Sequence, residues 1–249
     1  FLLKSQQIVM NDYRLLFQKR ATDYHFAMQK YPNARQNEFN NLVSRLTFFE
    51  DIRILDLPSG GGYIKQHLPN YVKVTSGDFS EGFTNDEIQL IVPENLSFHS
   101  NYFNAVLCLS GMHHLNNVTK FVEECLRVLT FDGEFVFADV KEGTNVAYFL
   151  NNFVNKYNSL GHKGYFFNEN YFENNLNIQE KIVECKYCEY PFIFDSKEDM
   201  IIFFKLFFGL DKADDNIIYN GIKDILGINI TNRKLEVNWG LLLFKIKKN

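Results

Sequence analysis

Apolar residues recur every three or four positions near the start of the chain: Leu15, Leu16, Ala21, Tyr24 and Met28, then Phe39, Leu42 and Leu46. That spacing predicts helix over residues 8–50. Pro32, which has no amide hydrogen, divides it in two. From residue 52 the pattern changes to short apolar runs between turn residues. Strands are predicted at 52–57, at Tyr71–Gly77 ending in Asp78, at Phe103–Leu109 (FNAVLCL) and at Glu134–Asp139 (EFVFAD). Between them Tyr63–Leu68 opens a helix and Asp132–Gly133 makes a turn. Asn117–Leu129 is amphipathic, with Phe121, Val122, Cys125, Val128 and Leu129 on one side. Strand alternating with helix predicts a parallel, doubly wound sheet.

The last third reads differently. Ile178–Glu189 is strand-like, Asp215–Leu226 helical, and Val237–Ile246 a closing strand. Ser196–Leu210 (SKEDMIIFFKLFFGL) is a helix with Ser196 as N-cap, acids in its first turn and Gly209 at its end. Its phenylalanines can pack on the sheet, lid a pocket, or do both. The expectation is a single domain over 1–249. Residues 1–50 form a helical cover, 51–144 the core, 145–235 a lid on the substrate side and 236–249 the closing strand.

Composition narrows the field. Apolar residues make up 46% of the chain, enough for a full core, and the 26 Phe are expected chiefly to pack there. A net charge of −4 with no block of Lys or Arg disfavours a nucleic-acid partner. Phe1 in place of Met suggests a processed or trimmed chain, and FLLKSQQIVM is too short and too interrupted for a signal peptide or membrane span. Four cysteines fit a reducing cytoplasm. Cys185 and Cys188 form a lone CxxC, but residues three apart in a strand face opposite sides, which argues against joint metal ligation.

The most specific motif is Ile52–Gly62, IRILDLPSGGG. An apolar run ends in Asp56 and enters a loop of Pro58, Ser59, Gly60, Gly61 and Gly62. Glycines at the carboxyl end of a strand let a nucleotide-like ligand approach the backbone. The dinucleotide fingerprint needs glycine at its first, third and sixth positions. Counted from Gly60, the sixth is Lys65, so that pattern fails.

An acid two residues before such a loop resembles motif I of the class I S-adenosylmethionine-dependent methyltransferases, with Pro58 where that family usually has glycine. The resemblance extends over residues 20–140. It includes SGDFSEGF (Ser76–Phe83), the stretch NLSFHSNYFNAVLCLSGMHHL at 95–115, and LRVLTFDGEFVFADV (Leu126–Val140). It implies a mostly parallel seven-stranded sheet with N-terminal helices and a C-terminal helical lid. The implied cofactor is S-adenosylmethionine, with S-adenosylhomocysteine as product. Its loop would be held by Asp56, Pro58, Ser59, Gly60 and Gly62, its ribose by Asp78 with Phe79 and Ser80 beside it, and its methionine end by Arg20 and Tyr24; the competing reading of Asp78 is an acid that caps the next turn through Ser80. Asp56 and Tyr24 read equally as a brace for the loop and a packing residue. Only 20 positions separate Asp78 from Phe98, room for a turn and a short strand such as Ile88–Val92, so the adenine reader of the family falls near Val92 or is lost. Glu94 or Asn95, beside Leu96, can stand in.

Methyl transfer is an in-line displacement that needs positioning and, for some acceptors, a base. Ser110, His113 and His114 follow the fourth predicted strand, and the resemblance makes His114 the usual histidine. A structural histidine is the competing reading. Tyr165 and Phe204 are the candidate substrate residues, and His162, also in GHKGYF, reads as a solvated loop residue. No carboxylate cluster suggests a divalent metal. The expected partner is a small-molecule acceptor such as a natural product, methylated at O, N or C, with oligomeric state left open. Two alternatives stand beside it: a carboxyl methyltransferase of an acyl-carrier-bound substrate, and a catalytically silent cofactor-binding partner protein.

Overall fold

A computed structural model describes the backbone of residues 2–176 and 181–249, and their side chains except those of 2–13, 173, 175 and 176. Two helices, α1 (Leu2–Lys30) and α2 (Gln36–Val43), precede the sheet. The break between them spans Pro32, as the missing amide hydrogen dictates. Strand β1 (Arg53–Asp56) is followed by a single 3₁₀ turn, Tyr63–His67, where a full helix was expected. Leu68 then leaves in extended conformation. The next strands are β2 (Lys73–Asp78), β3 (Ile88–Leu90) and β4 (Phe103–Leu109). Helix α3 (Val118–Val128) has Asn117 Oδ1 capping Lys120 N at 3.0 Å, and buries Phe121, Val122, Cys125 and Val128. Leu129, expected at the end of that helix, instead opens β5 (Leu129–Asp139), and the expected turn survives as a kink at Asp132, φ +61°.

Beyond β5, α4 (Asn145–Tyr148) runs through a π turn (Phe149–Val154) into α5 (Asn155–Tyr157), and α6 spans Tyr171–Leu176. Then come β6 (Ile182–Glu189), β7 (Phe192–Phe194), α7 (Lys197–Phe208) and α8 (Asp215–Gly221) with its π continuation Ile222–Leu226. Strands β8 (Ile228–Thr231), β9 (Lys234–Val237) and β10 (Gly240–Lys247) close the chain. Residues 178–180, the start of the expected strand Ile178–Glu189, lie outside the described residues.

The main sheet has the order β3-β2-β1-β4-β5-β10-β6, parallel from β3 to β5, with β10 antiparallel to both neighbours. The doubly wound, mostly parallel seven-stranded sheet is therefore present. The 145–235 region is not purely a helical lid. β6 belongs to the main sheet, and β7, β9 and β8 form a second, antiparallel one that the sequence pattern did not reveal. Cys185 on β6 is exposed and Cys188 buried, as opposite faces of a strand require. Among the described residues, no helix is long and apolar enough to cross a membrane.

Phenylalanine supplies much of the core. Phe135, Phe137, Phe172 and Phe244 pack on one face of the sheet, with Phe137 and Phe244 stacked at 5.0 Å. On the other face α7 buries Phe203 and Phe204 against β7. Ser196 Oγ accepts from Asp199 N at 3.1 Å, and Gly209, φ +62°, ends the helix in the left-handed region. A side chain there would also meet Arg20 Nε at 2.2 Å.

Because α7 carries two residues of the cavity wall described below, its cap bears on function. Ser196→Ala should lower unfolding stability by about 1 kcal/mol, measured by urea denaturation. An unchanged midpoint would show that Asp199 N finds another acceptor.

Candidate active site

One cavity opens at the carboxyl ends of β1 and β4, where ligands sit in open parallel sheets. Its floor is the loop after β1. Gly60, Gly61 and Gly62 take φ values of +54°, +114° and +74° in succession, a path closed to side-chain-bearing residues. Tyr24 lies directly on that loop, since a Cβ on Gly60 would stand 3.2 Å from its Oη. The turn after β4 forms one wall. Ser110 there holds φ +53°, and Gly111 packs so tightly that a Cβ would meet Pro58 Cγ at 2.3 Å.

Of the readings weighed for the two acids, the structure gives Asp78 the cap at Ser80 and places Asp56 against the cavity. Asp78, not Asp56, braces the loop: its Oδ2 accepts from Gly60 N and its Oδ1 from Ser80 N, both at 2.9 Å. Asp78 is wholly buried and does not line the cavity, so the ribose contact expected of it is absent from this geometry. The cause is α1, which lies across the end of β2. Ser80 Oγ donates to Arg14 O, Gln18 Nε2 donates to Glu81 Oε2, and Phe17 packs on Phe83 at 5.1 Å. Burial raises the Asp78 pKa to about 6, against the pull of its amide donors. Asp56 does line the cavity. Burial, then the neighbouring Asp78 charge, pushes its pKa well above the usual carboxylate value.

Six buried polar atoms on residues of this cavity have no hydrogen-bond partner among the described residues: Arg20 Nε, Glu38 Oε1, Asp56 Oδ2, Ser59 Oγ, Ser110 Oγ and Trp239 Nε1. Leaving such atoms unsatisfied is costly, so the set has the character of a ligand site. Arg20 Nη2 is already committed to α7, donating to Phe207 O at 2.7 Å and Leu206 O at 3.3 Å. Burial lowers the Arg20 pKa to about 10, with Asp23 and Asp211 opposing. Arg35 Nη1 donates to Tyr24 Oη at 2.9 Å and Arg35 pairs with the buried Glu38, which fixes the tyrosine over the loop.

The histidines gather on the far wall. His113 Nδ1 lies 2.5 Å from Asp139 Oδ1, and His114 and His162 rings lie 5.2 Å apart. Burial, reinforced by the neighbouring histidines, drives the His114 pKa well below its ordinary value. Burial, His113 and Arg20 lower that of His162 to about 3. Both are neutral at pH 7. His162 is therefore a cavity residue and not the solvated loop residue its sequence context suggested.

Arg20, Tyr24, Asp56, Pro58, Ser59, Gly60, Ser110, His113 and His114 thus share one cavity. Gly62, Phe79, Ser80, Asn95 and Leu96 do not line it. Phe79 packs on Phe121 beneath the sheet, and Leu96 is tied to α3 by Glu124, which accepts its amide hydrogen at 2.9 Å. Asn95 is exposed. Tyr165 is 60% exposed and turned toward Phe167 and Tyr171, so it is not a wall residue. Phe204 is buried in the core, while Phe207 and Phe208, one helical turn on, form the wall. Arg35, Glu38 and Trp239 also line the cavity, unforeseen because only the folded chain brings them to it.

Residues 55–137 match a family described as a methyltransferase domain. A curated relative, the uncharacterized methyltransferase YcgJ of Bacillus subtilis, is 30% identical over 122 residues. That match covers 43% of this chain and 47% of the relative, so the chain spans about half the length of the curated relative it matches. A SAM-dependent methyltransferase of Thermotoga maritima superposes with a TM-score of 0.61 at 13% identity, over 94% of this chain and 98% of that one. A phosphoethanolamine N-methyltransferase of Haemonchus contortus, solved with S-adenosylhomocysteine, superposes with a TM-score of 0.54 at 14% identity, over 85% of this chain and 52% of that one.

Asp56 offers a direct test of the electrostatics. An acid whose pKa rises on folding binds its proton more tightly when folded, so stability falls as pH rises from the unfolded value near 3.8 through the folded one. Asp56→Asn should therefore melt roughly 2–4 °C above the parent at neutral pH, with the difference shrinking toward about pH 4. A difference constant with pH in thermal melts would remove the buried charge as its cause.

Residues 55–137 thus match a methyltransferase-domain family, and the sheet order and the glycine loop after β1 place them in the fold of the solved methyltransferases on which the chain superposes.

Proposed function

We propose that this chain transfers a methyl group from S-adenosylmethionine to a small-molecule acceptor held between the glycine loop, the turn after β4 and α7. The observation that carries this reading is a group of unpartnered buried polar atoms around one cavity, among them Arg20 Nε, Asp56 Oδ2, Ser59 Oγ and Ser110 Oγ, beside a left-handed triple-glycine loop. Their chemistry fits the cofactor's amino-acid end. Asp56 offers an anion to an ammonium, while Arg20 and the loop offer a cation and amide donors to a carboxylate. When bound, the cofactor supplies an electrophilic methyl on a sulfonium.

The chain's own residues position and enclose. Tyr24, held by Arg35, closes over Gly60, and Phe207, Phe208 and Trp239 give the acceptor an apolar wall. Such an enclosed cavity favours a small acceptor over a polymer. Burial holds His114 in its neutral form, and its depressed basicity suits an acceptor whose proton is already acidic. His113, its Nδ1 bound to Asp139, is oriented rather than mobile. A ribose contact by Asp78 requires α1 to leave the end of β2, which makes residues 14–24 the cover over the cofactor.

Calorimetry should show binding of S-adenosylmethionine and S-adenosylhomocysteine and none of NAD. Gly60→Val should abolish that binding with circular dichroism unchanged, because valine at φ +54° is strained and its side chain would press on Tyr24 Oη. Affinity for NAD alone, or normal cofactor binding by the valine variant, would overturn the reading.

A further inference from the structure

His113 and His114, from the 3₁₀ turn Met112–His114, meet His162 from the loop after α5, and one imidazole nitrogen of each lies within 4.8 Å of the other two. All three line the same cavity. Their surroundings fix two of the three tautomers. Asp139 accepts from Met112 N at 2.8 Å and His113 N at 3.1 Å on Oδ2, and from Val140 N at 2.7 Å on Oδ1. It is an acceptor throughout, so His113 Nδ1 carries the hydrogen that Oδ1 receives, which leaves Nε2 as the ring nitrogen available to a ligand.

Asn151 does the same for His162. Its Nδ2 donates to Gly164 O at 2.9 Å and its Oδ1 accepts from Gly164 N at 2.8 Å, which settles its orientation. The His162 Nδ1 that lies 3.1 Å from that Oδ1 must be the donor, leaving Nε2 with a lone pair. His162 is anchored further by its own amide, which donates to Asn155 Oδ1 at 2.9 Å. A histidine whose outer nitrogen is held by a carboxylate or amide oxygen is the arrangement by which proteins orient metal ligands.

We propose that His113, His114 and His162 bind one divalent transition-metal ion of the zinc type, with Asp139 and Asn151 as positioning residues. Three imidazole nitrogens leave a four-coordinate ion one open position, as catalytic zinc sites do. Nitrogens about 2.0–2.1 Å from such an ion stand about 3.3 Å apart, so small side-chain rotations close the 4.8 Å cluster. Resting on the methyl-transfer reading, the open position would take an anionic or ionisable oxygen of the acceptor. The ion would bind that oxygen as its anion, the proton passing to solvent as the oxygen binds, and hold it beside the transferred methyl group.

The test is titration of the untagged, chelator-treated chain with Co²⁺, followed by visible absorption, with displacement by Zn²⁺. One cobalt per chain is expected, with ligand-field bands and no cobalt–thiolate charge-transfer band. His162→Ala should abolish the bands, Asn151→Ala should weaken binding about 10–100-fold, and His99→Ala, at an exposed site outside the cluster, should change nothing. Because His113 is packed on Asp139, His162→Ala on its loop is the decisive variant. Its calorimetric affinity for S-adenosylhomocysteine is measured on the same preparation. Cobalt binding lost in that variant supports the site even if the parent fails to bind S-adenosylhomocysteine, which would sink only the methyl-transfer reading. A thiolate band, or bands that survive His162→Ala, would overturn the site while leaving methyl transfer standing.

Discussion

The Asp78 carboxylate is the constraint on which the site depends. Three successive residues with positive φ have little to hold them beyond their own turn, and Asp78 supplies the outside anchor by accepting the Gly60 amide. Its second oxygen accepts the Ser80 amide, so one side chain ties the loop after β1 to the end of β2. The cost is a carboxylate removed from water beside a second one, Asp56. Fixed amide dipoles offset it for Asp78. Asp56 has no such relief among the described residues, which leaves it the group most in need of a cationic partner.

The cover over the loop is a second consequence of buried charge. Arg20 reaches from α1 to the last carbonyls of α7, and Arg35 reaches from the start of α2 to Tyr24. Cationic side chains suit the carbonyl end of a helix, where the backbone leaves acceptors unpaired. Gly209 makes the first contact feasible, since any side chain there would occupy the Arg20 guanidinium's place. The N-terminal helix and the C-terminal segment are thereby linked across the cavity they enclose.

Much of the fold is set by the sequence alone. β4, the Ser196 cap and the Gly209 stop are local matters of periodicity, hydrogen-bonding side chains and backbone freedom, and all three stand where the pattern puts them. The glycine loop after Asp56 is equally local, because positive φ is a property of glycine wherever it occurs. The strand–helix alternation then leaves little choice but a doubly wound sheet.

What only the tertiary structure decided is which side chains meet. Whether Asp78 faces the cavity or is buried as a brace depends on where α1 crosses the sheet, and the period of a helix does not encode its docking partner. Phe204 and Phe207 share one Phe-rich helix, yet only the packing of α7 on β7 sends one to the core and the other to the cavity. The short strands β7, β8 and β9 carry too few alternating residues to be told from loop, and are strands because they pair with one another. His162 looks like a surface histidine because nothing in its neighbours says otherwise. It is drawn inward by Asn151 and Asn155, contacts that exist only after the chain between α4 and α6 has folded back on the turn after β4. Local physics determines elements and turns, whereas buried polar groups acquire partners only through long-range closure, and in this protein the site is built from those partners.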